Sequence, residues 1–122
     1  MPSCDTVFVV DDDLSMRTSL SRLLRAHGFA ATLFDSANAL LERGKFDEAL
    51  CIVLDINLDG KSGIELRRRL AGQGVVAPVI YITGNDNAAN RAAAIASGCV
   101  AYLTKPFSAQ LLIASVVRAS AA

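Results

Sequence analysis

The sequence predicts an α/β fold in which helices cover both faces of a parallel β-sheet. Short β-rich runs alternate with longer stretches of helical periodicity along the chain, which is typical of consecutive βα units. Residues 6–10 and 50–54 form continuous runs of β-branched or apolar residues, as strands buried on both faces do. Each of these runs is followed by aspartate. We therefore expect five βα units in one domain.

The individual elements follow from strand propensity, helical spacing and capping residues. Met16, Leu20 and Leu24 recur at helical spacing, and Gly28 can end that helix. Ser36 and Ser108 can cap the helices that follow them. The predicted strands are residues 6–10, 29–34, 50–54, 78–82 and 100–103. The predicted helices are residues 15–27, 37–43, 64–70, 88–97 and 109–117.

Three segments are predicted to be less regular or less firmly packed. Residues 57–63 are predicted to form a loop, with Asp59-Gly60 as its turn signal. Residues 119–122 are small and are expected to fray. The helix at 88–97 is rich in alanine, so we expect it to be weakly anchored.

Composition and charge exclude several functions. Twelve basic and twelve acidic residues give a net charge of zero, so no overall field attracts nucleic acid or an anionic membrane. No secretory signal or membrane-length apolar run is present, so we expect a cytoplasmic protein. Cys4, Cys51 and Cys99 lack metal-ligand spacing and are predicted to be reduced thiols. The only histidine, His27, precedes Gly28 and is predicted to be structural.

The residues with useful chemistry follow the predicted strands, at the edge where parallel sheets bind ligands. They are Asp11, Asp12, Asp55, Thr83 and Lys105. Clustered carboxylates repel each other, and a hard divalent ion such as Mg²⁺ relieves that repulsion. An ionised aspartate attacks phosphorus without a general base. The pattern therefore indicates phosphoryl transfer to Asp55, with Lys105 and the Thr83 hydroxyl contacting phosphoryl oxygens. Asp13 is predicted to be only a turn residue or a helix cap.

In that order, Asp11-Asp12, Asp55, Thr83 and Lys105-Pro106-Phe107 resemble the response-regulator receiver family over essentially the whole chain. The resemblance implies a flavodoxin-like (βα)5 three-layer sandwich with a five-stranded parallel sheet of order 2-1-3-4-5. It also implies one receiver domain over residues 1–122, with no output domain in this chain. The Lys105-Pro106 peptide bond is expected to be cis.

The resemblance implies a role for each site residue. Asp55 is the phosphoacceptor, Lys105 the phosphate-contacting cation and Thr83 the switch hydroxyl, while Tyr102 is the aromatic residue that moves with Thr83. The expected metal is Mg²⁺, for which Mn²⁺ may substitute. Its ligands are expected to be Asp11, Asp12, Asp55 and the backbone carbonyl of Asn57. Asn57 and Asn85 match positions that adjust the access of water to the acyl phosphate.

The family function is phosphorylation-dependent signalling. A sensor histidine kinase is expected to donate the phosphoryl group from phosphohistidine, after which the face formed by the fourth helix, the fifth strand and the fifth helix changes. The expected partners are that kinase and either a downstream protein or a fused DNA-binding output domain, together with a homodimer promoted by phosphorylation. We expect no direct nucleic-acid binding and no membrane contact by this chain, and no turnover of a separate substrate.

Details of the sequence indicate one subgroup of the receiver family and one departure from the family pattern. Ile82-Thr83-Gly84, residues 36–39 and Lys105-Pro106-Phe107 look like FixJ-like receivers, which normally precede a DNA-binding helix-turn-helix module. Many receivers have proline four residues after the phosphoacceptor, where this chain has Asp59. That departure adds a carboxylate beside the site.

Three other classes of protein fit this sequence less well than the receiver family does. A haloacid-dehalogenase-type hydrolase would need aspartate where Asn57 stands. A flavodoxin would need a phosphate loop rich in serine, threonine and glycine after the first strand, where this chain has aspartates. A degenerate receiver, acting as a phosphorylation-independent interaction module, would be expected to have lost residues of the set. The Arg67-Arg68-Arg69 run is predicted to be a solvated helix face, with nucleic-acid binding as the less favoured alternative.

Overall fold

The computed structural model describes residues 5–121, which form a five-stranded parallel sheet between two layers of helices. The sheet strands are β1 (Thr6–Val10), β2 (Ala30–Phe34), β3 (Ala49–Asp55), β6 (Val79–Thr83) and β7 (Ala101–Thr104). β4 (Asn57–Leu58) and β5 (Lys61–Ser62) form a separate hairpin. The helices are α1 (Leu14–Ala26), α2 (Ala37–Arg43), α3 (Gly63–Gly72), α4 (Ala88–Ser97) and α5 (Ala109–Ser120), and a 3₁₀ turn (Phe46–Glu48) precedes β3. The spatial order β2-β1-β3-β6-β7 confirms the predicted 2-1-3-4-5 sheet.

Two hydrophobic cores, one on each face of the sheet, hold the helices in place. Alternate side chains of a strand point to opposite faces, so Phe8 and Val10 join one core while Val7 and Val9 join the other. The first core includes side chains of α2, α3 and α4, and the second includes side chains of α1 and α5. Burial on both faces explains why the central strands have continuous apolar sequences.

Side-chain caps begin the helices, because the first backbone N–H groups of a helix have no partner within it. Asp13 accepts a hydrogen bond from the Ser15 N–H, which confirms that it caps α1. At the other end of α1, the His27 ring lies 3.0 Å from the Leu23 carbonyl oxygen, consistent with the structural role predicted for that histidine. The predicted caps Ser36 and Ser108 also accept backbone N–H groups.

α4 and α5 differ in how many of their side chains are buried. Ala94 is the only buried residue of α4, so the prediction of weak anchorage is confirmed. The prediction that residues 119–122 fray was wrong for the first two. α5 continues through Ser120, and Ala119 is buried because it follows Leu112 and Val116 on the helix face toward the sheet.

Cys4 and Ala122 lie outside the described residues. Within residues 5–121, no helix combines the length and apolarity needed to cross a bilayer.

The segment predicted as a loop at 57–63 is instead a hairpin followed directly by α3. Its turn is formed by Asp59, with φ of 46°, and Gly60, with φ of 84°. Two successive residues with positive φ are typical of a tight two-residue hairpin turn, so the turn prediction itself was right. Proline is restricted to a φ near −65° and does not fit the backbone of Asp59. A proline at this position would therefore require a different turn.

Gly63, the first residue of α3, lies directly against the backbone of Asp55. A Cβ at this position would overlap the Asp55 carbonyl oxygen and approach the Cα of Ile56 within 3.1 Å. The Gly63 N–H also donates to the Ile56 carbonyl oxygen at 2.7 Å. The absence of a side chain therefore lets α3 begin immediately beside the end of β3.

We predict that Gly63→Ala lowers the free energy of unfolding by about 1–3 kcal/mol, the usual effect of inserting an atom into a packed site. Gly72→Ala is the matched control, since Gly72 is also in α3 and a Cβ there meets nothing within 4 Å. That control is expected to be neutral or stabilising by up to about 1 kcal/mol. Equal effects of the two substitutions in urea denaturation would contradict the close approach at Gly63.

Candidate functional site

Three aspartates meet at the carboxyl ends of β1 and β3. Asp11 is fully buried and Asp55 nearly so, whereas Asp12 is exposed. One carboxylate oxygen from each of the three lies within 4.8 Å of the others. They meet because β1 and β3 are neighbouring parallel strands, with Val10 opposite Leu54 one residue before the site. The predicted acidic cluster is confirmed as a spatial arrangement.

Lys105 brings a positive charge into this cluster from the end of β7. Its ammonium nitrogen lies 3.0 Å from Asp11 Oδ2 and 3.0 Å from Asp55 Oδ2. The lysine side chain is only 20% exposed, so water screens these contacts weakly. The peptide bond from Lys105 to Pro106 is cis, as expected. Lys105 thus joins two acidic strand ends through one ammonium group.

The second oxygens of the same two carboxylates are bound to the backbone. Asp11 Oδ1 accepts the Asp13 N–H at 2.9 Å, and Asp55 Oδ1 accepts the Asn57 N–H at 2.9 Å. Each carboxylate is therefore fixed by a backbone amide on one side and by Lys105 on the other. Fixed orientation of this kind lowers the reorganisation needed when a ligand arrives.

The cluster has a net negative charge, which favours the binding of a cation. Burial raises the pKa of Asp55, against the opposing effects of the Asn57 N–H and of Lys105, and the nearby charge of Asp11 raises it further. Burial lowers the pKa of Lys105, but hydrogen bonds to Asp55 and Asp11 outweigh it, so the pKa of Lys105 is raised overall. The three carboxylates and one ammonium retain two negative charges when all are ionised. No ion pair involving Asp12 occurs within residues 5–121.

Thr83 lies at the neighbouring strand end. It is fully buried at the end of β6, which pairs with β3 so that Ile82 is opposite Asp55. Its hydroxyl oxygen accepts the Asn85 N–H at 3.0 Å, and its carbonyl oxygen accepts the Lys105 N–H at 2.8 Å. Thr83 is thus tied both to the β6–α4 loop and to the strand end that carries Lys105.

Tyr102 does not join the acidic cluster. It is half-buried on β7, and its hydroxyl donates to Asp86 Oδ1 at 3.0 Å. Asp86 in turn pairs with Arg91 of α4, whose guanidinium carbon lies 4.8 Å from the Tyr102 ring centroid. The sequence did not single out Asp86 or Arg91, because nothing in local spacing brings them to residue 102.

Arg17 is a further residue that the sequence analysis missed. Its guanidinium donates from Nη1 to the Asp11 carbonyl oxygen at 2.6 Å, which ties α1 to the loop that carries the acidic pair. The sequence did carry a signal for this contact. Arg17 lies in the first turn of α1, and helical side chains point back toward the N-terminal end of their helix.

The two cysteines among the described residues, Cys51 and Cys99, have no part in this site. Burial raises the pKa of the Cys51 thiol to about 12, and burial also raises the pKa of Cys99. Both thiols are free, as predicted. Thiols held in the protonated form are poor nucleophiles and poor metal ligands.

The donor set fits a hard divalent cation. Carboxylate oxygens are the ligands that Mg²⁺ prefers, and it usually combines one or two carboxylates with waters and a phosphate oxygen. Asp11, Asp12 and Asp55 can provide such oxygens, and two uncompensated negative charges favour a doubly charged ion.

Residues 7–117 match the model of the response regulator receiver domain. The chain belongs to the response regulator receiver domain family. Members of this family are signalling modules of two-component systems, and Mg²⁺ and aspartyl phosphate are general features of the family. No substrate-turnover enzyme is indicated by these relationships.

Known receivers include close matches in sequence and structure. Nodulation protein W of Bradyrhizobium diazoefficiens is 40% identical over 114 residues, which is 93% of this chain and 50% of that protein. Transcriptional regulatory protein FixJ of the same organism is 37% identical over 110 residues, which is 90% of this chain and 54% of that protein. The crystal structure of FixJ-N matches with a TM-score of 0.84 at 33% identity, covering 95% of this receiver and 93% of that chain. The receiver thus spans about half the length of the curated relatives it matches, and the FixJ-like resemblance is confirmed.

We predict that Mg²⁺ raises the thermal unfolding midpoint of the receiver, because an ion that binds only the folded acidic cluster stabilises it by mass action. At one hundred times the dissociation constant the gain is about 2.7 kcal/mol. Asp12→Asn should remove most of this gain while leaving the metal-free midpoint almost unchanged, since Asp12 is exposed. Asp5→Asn, an exposed aspartate just before β1 at the opposite end of that strand, should keep the full gain. An undiminished Mg²⁺ effect in Asp12→Asn would argue against this metal site.

Proposed function

We propose that this receiver accepts a phosphoryl group on Asp55 from the phosphohistidine of a sensor histidine kinase. The observation that carries the proposal is the position of Asp55 Oδ2, 3.0 Å from the Lys105 ammonium and within the cluster of Asp11 and Asp12. In this arrangement a carboxylate nucleophile and a phosphate-binding cation are adjacent.

The reaction requires no general base. An Asp55 carboxylate oxygen forms a bond to phosphorus, and the P–N bond to the imidazole breaks with its electron pair leaving on nitrogen. The product is an acyl phosphate, which water later hydrolyses to aspartate and inorganic phosphate. The protein contributes mainly orientation and charge neutralisation.

Each charged group of the site has a place in this scheme. Mg²⁺, when bound, neutralises charge on the phosphoryl oxygens. Asp11, Asp12, Asp55 and the backbone carbonyl of Asn57 would hold it, and Mn²⁺ would serve in its place. Lys105 would move from its two carboxylate partners to a phosphoryl oxygen. The Thr83 hydroxyl, whose oxygen accepts the Asn85 N–H, would donate its own O–H to another phosphoryl oxygen.

Phosphorylation would then change a surface of the receiver that lies away from Asp55. We infer that movement of Thr83 and Tyr102 changes the face formed by α4, β7 and α5. Weak anchorage of α4, in which Ala94 alone is buried, supports that part of the proposal. Asn57 and Asn85, next to the site, would control the access of water and hence the lifetime of the acyl phosphate.

The partners follow from the family. The kinase donates the phosphoryl group, and the changed face acts on a downstream protein or on a fused DNA-binding output domain, with homodimer formation promoted by phosphorylation. The segments matched to this receiver are only 54% and 55% of the relatives named as transcriptional regulators, which supports a fused output domain in the natural protein. We propose a cytoplasmic location and a single receiver domain over residues 1–122, with no nucleic-acid contact of its own.

A phosphorylation-independent interaction module is a weaker proposal. Such a protein has no need of a buried carboxylate beside a half-buried ammonium, and that pairing is costly to maintain away from solvent. Here Asp11, Asp55 and Lys105 are all present and in contact.

We predict that acetyl phosphate with Mg²⁺ adds one phosphoryl group to the wild-type chain, seen by intact-mass spectrometry, and that Asp55→Asn abolishes the addition. The amide lacks the nucleophilic carboxylate but preserves the shape of the side chain. Asp59→Asn is the control, since Asp59 is an exposed aspartate on the neighbouring hairpin turn and should still leave Asp55 able to react. Equal phosphorylation of Asp55→Asn and wild type would refute Asp55 as the acceptor.

For Lys105→Ala we expect Mg²⁺ binding to be retained, because the lysine is not a metal ligand and its removal takes a competing cation away from the carboxylates. Phosphorylation by acetyl phosphate should slow by about 10²-fold, the usual effect of losing one preorganised charge-stabilising donor. Calorimetric titration with Mg²⁺ and a phosphorylation time course measure the two effects separately. An unchanged rate together with an unchanged response to beryllofluoride would contradict the role of Lys105.

A further inference from the structure

Three side chains from three different elements form a closed set of contacts around Tyr102. The Tyr102 hydroxyl donates to Asp86 Oδ1 at 3.0 Å, and Arg91 Nη2 lies 2.8 Å from Asp86 Oδ2. The Arg91 guanidinium carbon lies 4.8 Å from the Tyr102 ring centroid, within the range of a cation–π contact. We call Asp86, Arg91 and Tyr102 the latch. It joins β7, the β6–α4 loop and α4.

The latch is connected to the phosphorylation site through a short segment. Asp86 is three residues after Thr83, whose hydroxyl oxygen is held by the Asn85 N–H at 3.0 Å. The Asn85 carbonyl oxygen accepts from the Asn90 side chain of α4 at 2.9 Å. Any displacement of Thr83 toward Asp55 therefore pulls on a loop whose other end is fixed by the latch.

The contacts suit a switch because each is favourable but exposed. The hydrogen bonds from Arg91 and then Tyr102 lower the pKa of Asp86, and the hydrogen bond to Asp86 raises the pKa of Arg91. Burial raises the pKa of Tyr102, and its hydrogen bond to Asp86 raises it further. Solvent screening keeps each contact weak. Together they can bias a two-state equilibrium without locking it.

The latch also compensates for the poor packing of α4. That helix buries Ala94 alone, and Ile95 on it is 66% exposed. With so little apolar surface holding the helix, polar contacts at its N-terminal half have a larger share in setting its position.

We propose that Asp86 and Arg91 are positioning residues that hold the Tyr102 ring at the surface and α4 against β7 in the unphosphorylated state. Phosphorylation then has to break the latch before the ring and the helix move. The inference rests on the proposed function, because it takes Tyr102 as the residue that reports the phosphoryl group. It adds to that function the restraint of Tyr102 by Asp86 and Arg91.

The test uses Asp86→Asn, which keeps the size and the acceptor oxygen but removes the charge, and Arg91→Gln, which removes both the ion pair and the cation–π contact. Arg91→Lys retains the charge and should partly restore wild-type behaviour. Arg68→Gln is the matched control, since Arg68 forms an exposed ion pair of 2.6 Å with Glu65 on α3, away from the latch.

The readout is ¹⁹F NMR of protein labelled with fluorotyrosine, titrated with beryllofluoride in Mg²⁺. The chain has two tyrosines, so two resonances are expected, and Tyr102→Phe assigns them. In Asp86→Asn and Arg91→Gln, the Tyr102 resonance before titration should lie part of the way toward its beryllofluoride-saturated position. Because a larger competent fraction raises apparent affinity, beryllofluoride should bind about three- to tenfold more tightly. Arg68→Gln should match the wild type in both measurements.

The outcomes separate the latch from the proposed function. A wild type that responds to beryllofluoride, with both latch variants unchanged or weaker in affinity, overturns the latch and leaves the proposed function standing. A wild type that shows no response to beryllofluoride and Mg²⁺ overturns both, since the latch is argued as a restraint on that response. Partial movement of the Tyr102 resonance in both latch variants, absent from Arg68→Gln, supports the latch.

Discussion

The ammonium group of Lys105 lies between two buried carboxylates, and the edge of the sheet is organised around it. Asp11 and Asp55 are each 3.0 Å from this one nitrogen. Two buried carboxylates without a cation would repel each other or take up a proton. The lysine reaches them only because β7 lies beside β6, where the Lys105 N–H binds the Thr83 carbonyl oxygen. The sheet order and the charge balance of the site therefore depend on each other.

A contrast in rigidity follows from this arrangement. The site itself is built on central strands whose side chains are nearly all buried, and each buried carboxylate is bound on two sides. α4, by contrast, has one buried residue and is held largely by polar contacts at the surface. A protein that switches needs both properties, because a rigid site transmits a small change only if a neighbouring element is free to move.

The sequence predicted those features that depend on burial and on strand ends. Continuous apolar runs identified the strands, and parallel strands necessarily bring Asp11, Asp12 and Asp55 to the same edge. Most boundaries agreed within two residues and the end of α5 differed by three, because hydrogen bonding at strand and helix ends is not encoded in apolar periodicity. The two-residue strands of the hairpin are too short to have any periodicity. Only the Asp59-Gly60 turn signal marked them.

The remaining differences have separate physical causes. Asp86 and Tyr102 are sixteen residues apart, and their contact depends on the register between β6 and β7 as well as on the path of the loop. No local pattern predicts such a contact. The burial of Ala119, by contrast, could have been predicted from the sequence. Leu112, Val116 and Ala119 share one helical face. The small size of the final residues is not evidence that they fray.

The hairpin between β3 and α3 limits how this part of the chain can vary. Asp59 and Gly60 both have positive φ, and Gly63 packs against the backbone of Asp55. Residue types that tolerate these conformations are few, so the positions are constrained jointly and not one by one. Residues 55–63 are consequently constrained as one structural unit. A chimaera with a receiver that has proline in place of Asp59 would have to exchange the whole segment, because exchanging a single position would combine two incompatible backbones.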